Sequence, residues 1–322
     1  MTKTRLPATI KNMKLSIVIP VYNEGDVLYE LHTRLHSVMK NNRYDYEIIF
    51  IDDGSNPTPP HFEKIMNKDE KVSVLTFSRN FGHQAAISAG LDHAIGDAVV
   101  IMDGDLQDPP EVIPMFVKKW NEGFDVVYGV RKKRKEGFLK RASYYTFYRL
   151  MGAVSTTRLP LDSGDFALMS RQVVHLITTQ SMPEHNRYVR GLRAWVGFNQ
   201  IGVEYERDAR IYGEPKVTVK QLFKLAYDGL FSFSNVPIKF MTMIGFFCSI
   251  VASLGIIIVL YKKINGIPIA GYASIAILIL FFAGVQLLCL GILSEYISRI
   301  TDEVRRRPQY IVKNYAKHDK NN

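Results

Sequence analysis

The chain has 322 residues, more than one average domain, and a net charge of +10 at pH 7. That charge admits nucleic acid, an anionic membrane surface or a phosphorylated substrate as partner, and by itself selects none of them. The two cysteines, Cys248 and Cys289, both lie in long apolar stretches, which excludes a disulfide framework and a cysteine zinc site. Residues 1–14 are polar and basic without a signal-type apolar run, so the soluble part is expected to stay in the cytosol.

In chain order, the first element is a strand over Leu15–Pro20 running into Pro20-Val21-Tyr22-Asn23-Glu24, followed by a helical pattern over Gly25–Lys40. A second strand, Tyr46–Asp52, runs into Asp52-Asp53-Gly54-Ser55, and His61–Asn67 has helical spacing. Val72–Phe77 is the third strand and His83–Ile95 the next helix. A fourth strand, Ala98–Asp103, opens the turn Asp103-Gly104-Asp105-Leu106-Gln107-Asp108; a helix over Glu111–Asn121 and a strand over Asp125–Gly129 come next. This alternation predicts an α/β domain with an open, mainly parallel sheet and helices on both faces.

In such sheets ligands bind beyond the carboxyl ends of the strands, and three acidic turns fall there. Carboxylates gathered at one site repel one another unless a cation or donor groups compensate. The pattern therefore points to a divalent metal, a nucleoside with exposed N–H groups, or both. Mg²⁺ or Mn²⁺ held by one or two carboxylates and completed by substrate phosphates suits the Asp103–Gln107 turn. Either Asp53-Gly54-Ser55 or Asp103-Gly104-Asp105 alone is an ordinary turn; their joint placement after separate strands is what carries weight. No glycine-rich dinucleotide fingerprint succeeds the first strand and no phosphate loop occurs, which argues against a dehydrogenase or an ATPase. His83, His185 and the other histidines lack metal-ligand spacing and receive no site role.

Further along, Arg131-Lys132-Lys133-Arg134-Lys135 is continued by Lys140 and Arg141; guanidinium groups suit bidentate contact with a phosphate, while a general attraction to anionic headgroups describes Lys132, Lys133 and Lys135. Tyr144, Tyr145, Phe147 and Tyr148 fit core packing or interfacial anchoring better than sugar stacking. Val219–Val236 mixes leucine and phenylalanine with Lys220, Lys224 and Asp228; an interfacial amphipathic helix and a plain connecting helix fit it equally. Phe240–Leu260 and Ala273–Leu293 carry no charged side chain and are long enough to span a bilayer. Arg299, Arg305, Arg306, Arg307 and Lys313 come after the second span, against Lys262 and Lys263 between the two, so both termini are expected in the cytoplasm. The expected divisions are a catalytic domain over 1–218, juxtamembrane helices over 219–238, two transmembrane helices over 239–295 and a basic tail over 296–322.

The Pro-Val-Tyr-Asn-Glu turn, Asp52 to Ser55, Ser78-Arg79-Asn80-Phe81-Gly82, Asp103 to Pro110, Ser163-Gly164-Asp165-Phe166 and the tail Glu295 to Tyr310 together resemble a family 2 glycosyltransferase of the polyprenyl-phosphate type. That group includes bacterial bactoprenol glucosyltransferases and dolichyl-phosphate mannose synthases, and two spans after one catalytic domain resemble the bactoprenol branch. The resemblance implies a GT-A-like fold in which Pro20, Tyr22, Glu24 and Asp53 hold the nucleoside, the Asp53 carboxylate accepting a base N–H. It places Asp103 and Gly104 on the donor ribose and diphosphate, Asp105 and Gln107 on the metal, and Arg210 and Lys216 on the diphosphate. Gly213-Glu214-Pro215-Lys216 departs from the usual Gly-Glu-Ser-Lys, since proline removes a backbone donor and a hydroxyl. Asp165 matches the residue proposed as base, here mainly for positioning or for taking a residual proton. Arg131, then Arg141, is the choice for the acceptor phosphate.

The resemblance implies inverting transfer of a hexose from a nucleotide sugar, such as UDP-glucose, to undecaprenyl phosphate for envelope glycosylation, by a homotetramer. Three rivals stand beside it. A processive polysaccharide synthase needs more spans and a Gln-x-x-Arg-Trp motif, of which Arg190 to Trp195 is a partial echo. A non-catalytic, membrane-tethered nucleotide-sugar binder has less need of Asp103, Asp105 and Gln107. Nucleic-acid binding lacks a recognition motif.

Overall fold

The computed structural model of the protein describes residues 13–131, 163–185, 187–207, 236–266 and 271–317. The chain divides into two compact units, one of residues 1–148, 157–216 and 306–322, the other of residues 149–156 and 217–305.

The first unit is built on an eight-stranded sheet in the order β7-β5-β6-β4-β1-β2-β3-β8. Its strands are β1 (Lys14–Val21), β2 (Asp45–Asp52), β3 (Val72–Phe77), β4 (Ala98–Ile101), β5 (Val126–Arg131), β6 (Ser163–Ser170), β7 (Gln200–Tyr205) and β8 (Val312–Ala316). The neighbours β4, β1, β2 and β3 are all parallel. This half matches the expected strands closely, although β4 stops at Ile101 where the acidic turn begins and β5 runs on to Arg131. The other half is mixed, because β6 lies antiparallel between β4 and β5 while β7 is parallel to β5. The sequence pattern predicted neither β6, β7 nor β8. The 296–322 segment, expected only as a basic tail, supplies β8, which pairs antiparallel with β3 at the sheet edge.

Both faces of the sheet are covered, by α1 (Val27–Asn41), α2 (His61–Met66) and α4 (Ile113–Asn121) on one side and by α3 (His83–His93), α5 (Arg171–Ile177) and α6 (Val189–Trp195) on the other. The strand period of two distributes the side chains: Leu15, Ile17 and Ile19 join the first core and Val18 the second, as Ile48 and Phe50 separate from Ile49 and Ile51. Continuous apolar runs in β1 and β2 are thus the signature of strands buried on both faces. Each fully buried Ile, Leu or Phe contributes about 1.5–3 kcal/mol. The parallel register brings the ends of β1, β2 and β4 to one edge, and the reversed β6 delivers its start, Ser163-Gly164-Asp165, to that same edge.

In the second unit, α7 (Val236–Ile264) and α8 (Tyr272–Arg305) contain two segments, Phe240–Lys262 and Ile277–Arg305, that are long and apolar enough to cross a membrane, with mean hydropathies of 2.7 and 2.5. None of either window is buried within the protein, unlike the core helices of the first unit. Phe246 and Leu287, for example, are 69% and 70% exposed. Residues 208–235, including Arg210, Lys216 and most of the expected juxtamembrane helix, lie outside the described residues, as does Arg141.

Candidate active site

The strand tips are tied to one another by short polar contacts. After β1, the backbone N–H of Asn23 donates to Ser55 Oγ at 2.8 Å, and the Asn23 side-chain oxygen accepts from Asn56 N at 3.3 Å. Ser55 N donates in turn to Asp52 Oδ1 at 3.0 Å. Tyr22 and Glu24 flank Asn23, so the β1 and β2 turns form one structure. Asp53 is buried, and its carboxylate accepts the backbone N–H of Phe81 at 2.7 Å and of Gly82 at 2.9 Å, holding the turn between β3 and α3. Burial raises its pKa, and the two amides work against that rise. Gly54, at φ +70°, passes so close to that turn that a Cβ would lie 2.3 Å from the carbonyl carbon of Arg79. The expected role of Asp53 toward a base N–H therefore falls to the acceptor capacity that the two amides leave.

The β4 turn packs against β1: a Cβ on Gly104 would meet the carbonyl oxygen of Pro20 at 3.3 Å. Leu106, at φ 59°, sinks fully into the core and pins the turn, while Asp105 Oδ1 accepts the N–H of Gln107 at 3.1 Å. Asp103 lies between two cations, 3.7 Å from His83 Nε2 and 3.8 Å from an Arg207 nitrogen. Burial raises its pKa to about 6 against the opposing charge of His83, with help from Asp108, Asp165 and Asp105. Asp108 is buried, accepts from Tyr205 Oη at 2.5 Å and faces Arg207 Nε at 3.3 Å.

Asp165 receives His83 Nε2 at 3.3 Å on one oxygen and Arg190 at 3.3 Å on the other. Burial would raise its pKa, but Arg190 and His83 outweigh burial and hold the carboxyl well below the usual carboxylate range. A carboxylate so held is a poor base and a good anchor. His83 shows the converse balance: burial disfavours its charge, yet the bond to Asp165 and the field of Asp103 raise its pKa to about 9, so it is an imidazolium at neutral pH. Arg131, at the end of β5, has its pKa raised by Asp108 and Tyr205 despite burial. It also lies against Gly164, where a Cβ would come within 3.0 Å of the guanidinium.

The sequence profile of glycosyl transferase family 2 matches residues 16–177, half of the chain and all of the strands just described except β7 and β8. The chain belongs to glycosyl transferase family 2. Among family members, an uncharacterized glycosyltransferase of Bacillus subtilis, YkcC, is 44% identical over 305 residues, covering 94% of each chain. The SfII prophage-derived bactoprenol glucosyl transferase of Shigella flexneri is 42% identical over 307 residues, covering 94% of this chain and 98% of its own. A solved structure of glucosyl-3-phosphoglycerate synthase from Mycobacterium tuberculosis is similar at 19% identity and a TM-score of 0.45 over 68% of this chain and 79% of that one. That likeness is too distant to bear on the reaction.

In this family 2 chain the strand-tip edge gathers Pro20, Asp53, Asp103, Gly104, Asp105, Gln107, Arg131 and Asp165, with Tyr22 and Glu24 on the adjoining turn. It also adds residues to which the sequence pattern assigned nothing: His83, Asp108, Arg190, Tyr205 and Arg207. The assignment of no site role to His83 is corrected by its place between Asp103 and Asp165. Histidine spacing was the wrong signal, since His83 meets carboxylates from other strands; its position one residue after the Ser78–Gly82 motif was the usable one. Arg190, notable in the sequence only as part of an incomplete synthase motif, is set by α6, whose first amide donates to Gln84 Oε1 at 2.8 Å. Asp103 Oδ1 and Asp108 Oδ2 are buried without a hydrogen-bond partner among the described residues. Unsatisfied hard oxygen acceptors beside Asp105 and Gln107 fit a divalent Mg²⁺ or Mn²⁺ ion.

Proposed function

We propose that this family 2 enzyme transfers a hexose from a nucleoside diphosphate sugar, UDP-glucose or a related UDP-hexose, to undecaprenyl phosphate with inversion at the anomeric carbon. The observation that carries this is the meeting of acidic turns with His83, Arg190 and Arg207 at one sheet edge, in a chain that also has two unburied, membrane-length helices. The likeness to the Shigella flexneri bactoprenol glucosyl transferase over nearly the full length of both chains supports the choice of acceptor.

Displacement at an anomeric carbon builds negative charge on the departing nucleoside diphosphate. A Mg²⁺ or Mn²⁺ ion on Asp105 and Gln107 supplies Lewis-acid stabilisation of that charge when bound. Arg210 and Lys216 are assigned to the same diphosphate. Asp53 and the Tyr22–Glu24 turn receive the nucleoside, and Asp103 with Gly104 faces the ribose and diphosphate. The nucleophile is a phosphate oxygen, already anionic near neutral pH because the second pKa of a phosphate monoester is about 6. No strong base is then required, which accords with an Asp165 held ionised by Arg190 and His83. Arg131, with Arg141, is assigned to the acceptor phosphate, so that attack proceeds in line and an α-linked donor gives a β-linked lipid. The catalytic domain, over residues 1–218, and both termini are assigned to the cytoplasmic side of the inner membrane, and the product serves envelope glycosylation.

The test is incorporation of labelled hexose into undecaprenyl phosphate by full-length protein in detergent, across a panel of UDP- and GDP-sugars, with and without EDTA. Metal-dependent formation of a polyprenyl-linked sugar is expected. Donor hydrolysis alone, or donor binding without turnover, would remove the acceptor assignment.

A further inference from the structure

A second cluster of ligand-type side chains lies at the opposite end of the sheet. His32 and His36 are one turn apart on α1, with ring centroids separated by 6.0 Å. They face Asp69, in the connection between α2 and β3, and Tyr46, the second residue of β2. His32 Nε2 lies 3.1 Å and His36 Nδ1 3.5 Å from the same oxygen, Asp69 Oδ2, and the three atoms lie within 4.8 Å of one another. Tyr46 Oη donates to that oxygen at 2.8 Å and lies 2.9 Å from His36 Nδ1.

Asp69 Oδ2 accepts two hydrogen bonds, from His32 and Tyr46, and His36 Nδ1, bonded to Tyr46 Oη, converges on the same oxygen. Three ligand-type atoms within 4.8 Å of one another are a convergence that a shared cation fits. In a tetrahedral zinc site, bonds of about 2.0–2.1 Å set ligand atoms roughly 3.3 Å apart. The two contacts to Asp69 Oδ2 already bracket that spacing. Bringing His36 Nδ1 toward His32 is open to it, because the His36 side chain is 47% exposed, against 8% for His32. Two imidazole nitrogens and one carboxylate suit zinc rather than magnesium or calcium, which take oxygen donors. The other Asp69 oxygen accepts Lys71 N at 3.0 Å, an outer-shell contact that orients the carboxylate. The nearby Lys71 ammonium is paired with Asp45 at 2.8 Å.

We propose that His32, His36 and Asp69 form a zinc site with water in the fourth position, distinct from the donor-site metal and serving to fasten α1 to the segment ahead of β3. On binding, His36 Nδ1 exchanges its contact with Tyr46 for the metal and His32 Nε2 exchanges its donation to Asp69 for the metal; each ligating nitrogen gives up its proton to the ring's other nitrogen or to solvent, while Tyr46 remains on Asp69.

Zinc binding to EDTA-stripped, dialysed full-length protein in detergent, measured by calorimetry and thermal unfolding, tests this. The parent is expected to take up one zinc ion at this site and to gain Tm. In His36→Ala the affinity for that ion should fall by more than the roughly 10–100-fold that loss of an outer-shell partner costs, the range expected for Tyr46→Phe. Because Asp69 also holds Tyr46 and the Lys71 backbone, Asp69→Asn risks folding, and the half-exposed His36 is the deciding position. Sugar transfer by His36→Ala with Mn²⁺ should match the parent, and Asp105→Asn should keep the zinc. Equal zinc affinity and equal Tm gain in the parent and His36→Ala, no zinc uptake by the parent, or loss of the zinc in Asp105→Asn would each overturn the proposal.

Discussion

The two ends of the central sheet treat buried charge in opposite ways. At the amino end, Glu47 Oε1 accepts Ser16 Oγ at 2.5 Å and Ile95 N at 2.8 Å, its other oxygen faces Lys14 at 3.5 Å, and Ser16 Oγ accepts Gly96 N at 2.8 Å. Arg171 then closes the same corner on the carbonyls of Ala94 and Gly96. At the carboxyl end, Asp52 Oδ2, Asp103 Oδ1, Asp108 Oδ2, Arg131 Nε and two nitrogens of Arg193 are buried without hydrogen-bond partners among the described residues. Arg193, fully buried, has its pKa lowered to about 10, chiefly by desolvation. A satisfied network stabilises the fold, whereas an unsatisfied one costs stability and is retained where a ligand completes it. The Glu47 corner of the amino end is built for folding and the carboxyl end for binding.

The contrast is broken or sharpened most by Asp105→Asn. Transfer is expected to fall on the order of 10²–10³-fold, the size of losing one preorganised electrostatic group, with far-UV circular dichroism and Tm unchanged. Parent-level turnover in this variant would remove the metal from Asp105. At the other end, Glu47→Ala should show the reverse: a stability loss of about 1–3 kcal/mol by denaturant unfolding, because Ser16 and Ile95 N lose their acceptor, with turnover per folded molecule preserved.

The smallest effect separates cost from benefit at one residue. The folded-state pKa of Asp103, about 6, lies above the ordinary carboxylate value of about 3.9. Without metal, the folded protein therefore binds this proton more tightly than the unfolded chain, and stability falls as pH rises from about 4 to about 6. Asp103→Asn removes that dependence, so its Tm should equal the parent's at pH 4 and exceed it at pH 7, while transfer is reduced. A variant less stable than the parent at pH 7 would mean that the His83 and Arg207 contacts outweigh the burial cost.

Much of the site was legible because its residues sit at the ends of strands that announce themselves locally. Ile17, Val18 and Ile19, or Ile48 to Ile51, need no partner to read as a strand, and the acidic turn comes directly after each. His83, Arg190 and Arg207 gave no such sign. Each gains its role from a carboxylate in another element: His83 meets Asp165 across 82 positions and Arg190 meets it across 25. The tail was less legible still. Tyr310 stacks on Phe77 with centroids 5.1 Å apart and donates to Asp92 at 2.9 Å, a hydrogen bond across 218 positions.

The sequence alone determined whatever depends on neighbours along the chain: the buried parallel strands, the turns after them, and the two membrane-length helices. Those are set by periodicity and length, which are local quantities. The tertiary structure decided that β6 enters antiparallel between β4 and β5, that β8 closes the far edge, and that His83 stands between Asp103 and Asp165. Strand order and the meeting of charges are set by hydrogen bonds and fields between segments far apart in the chain, and no window of residues records them.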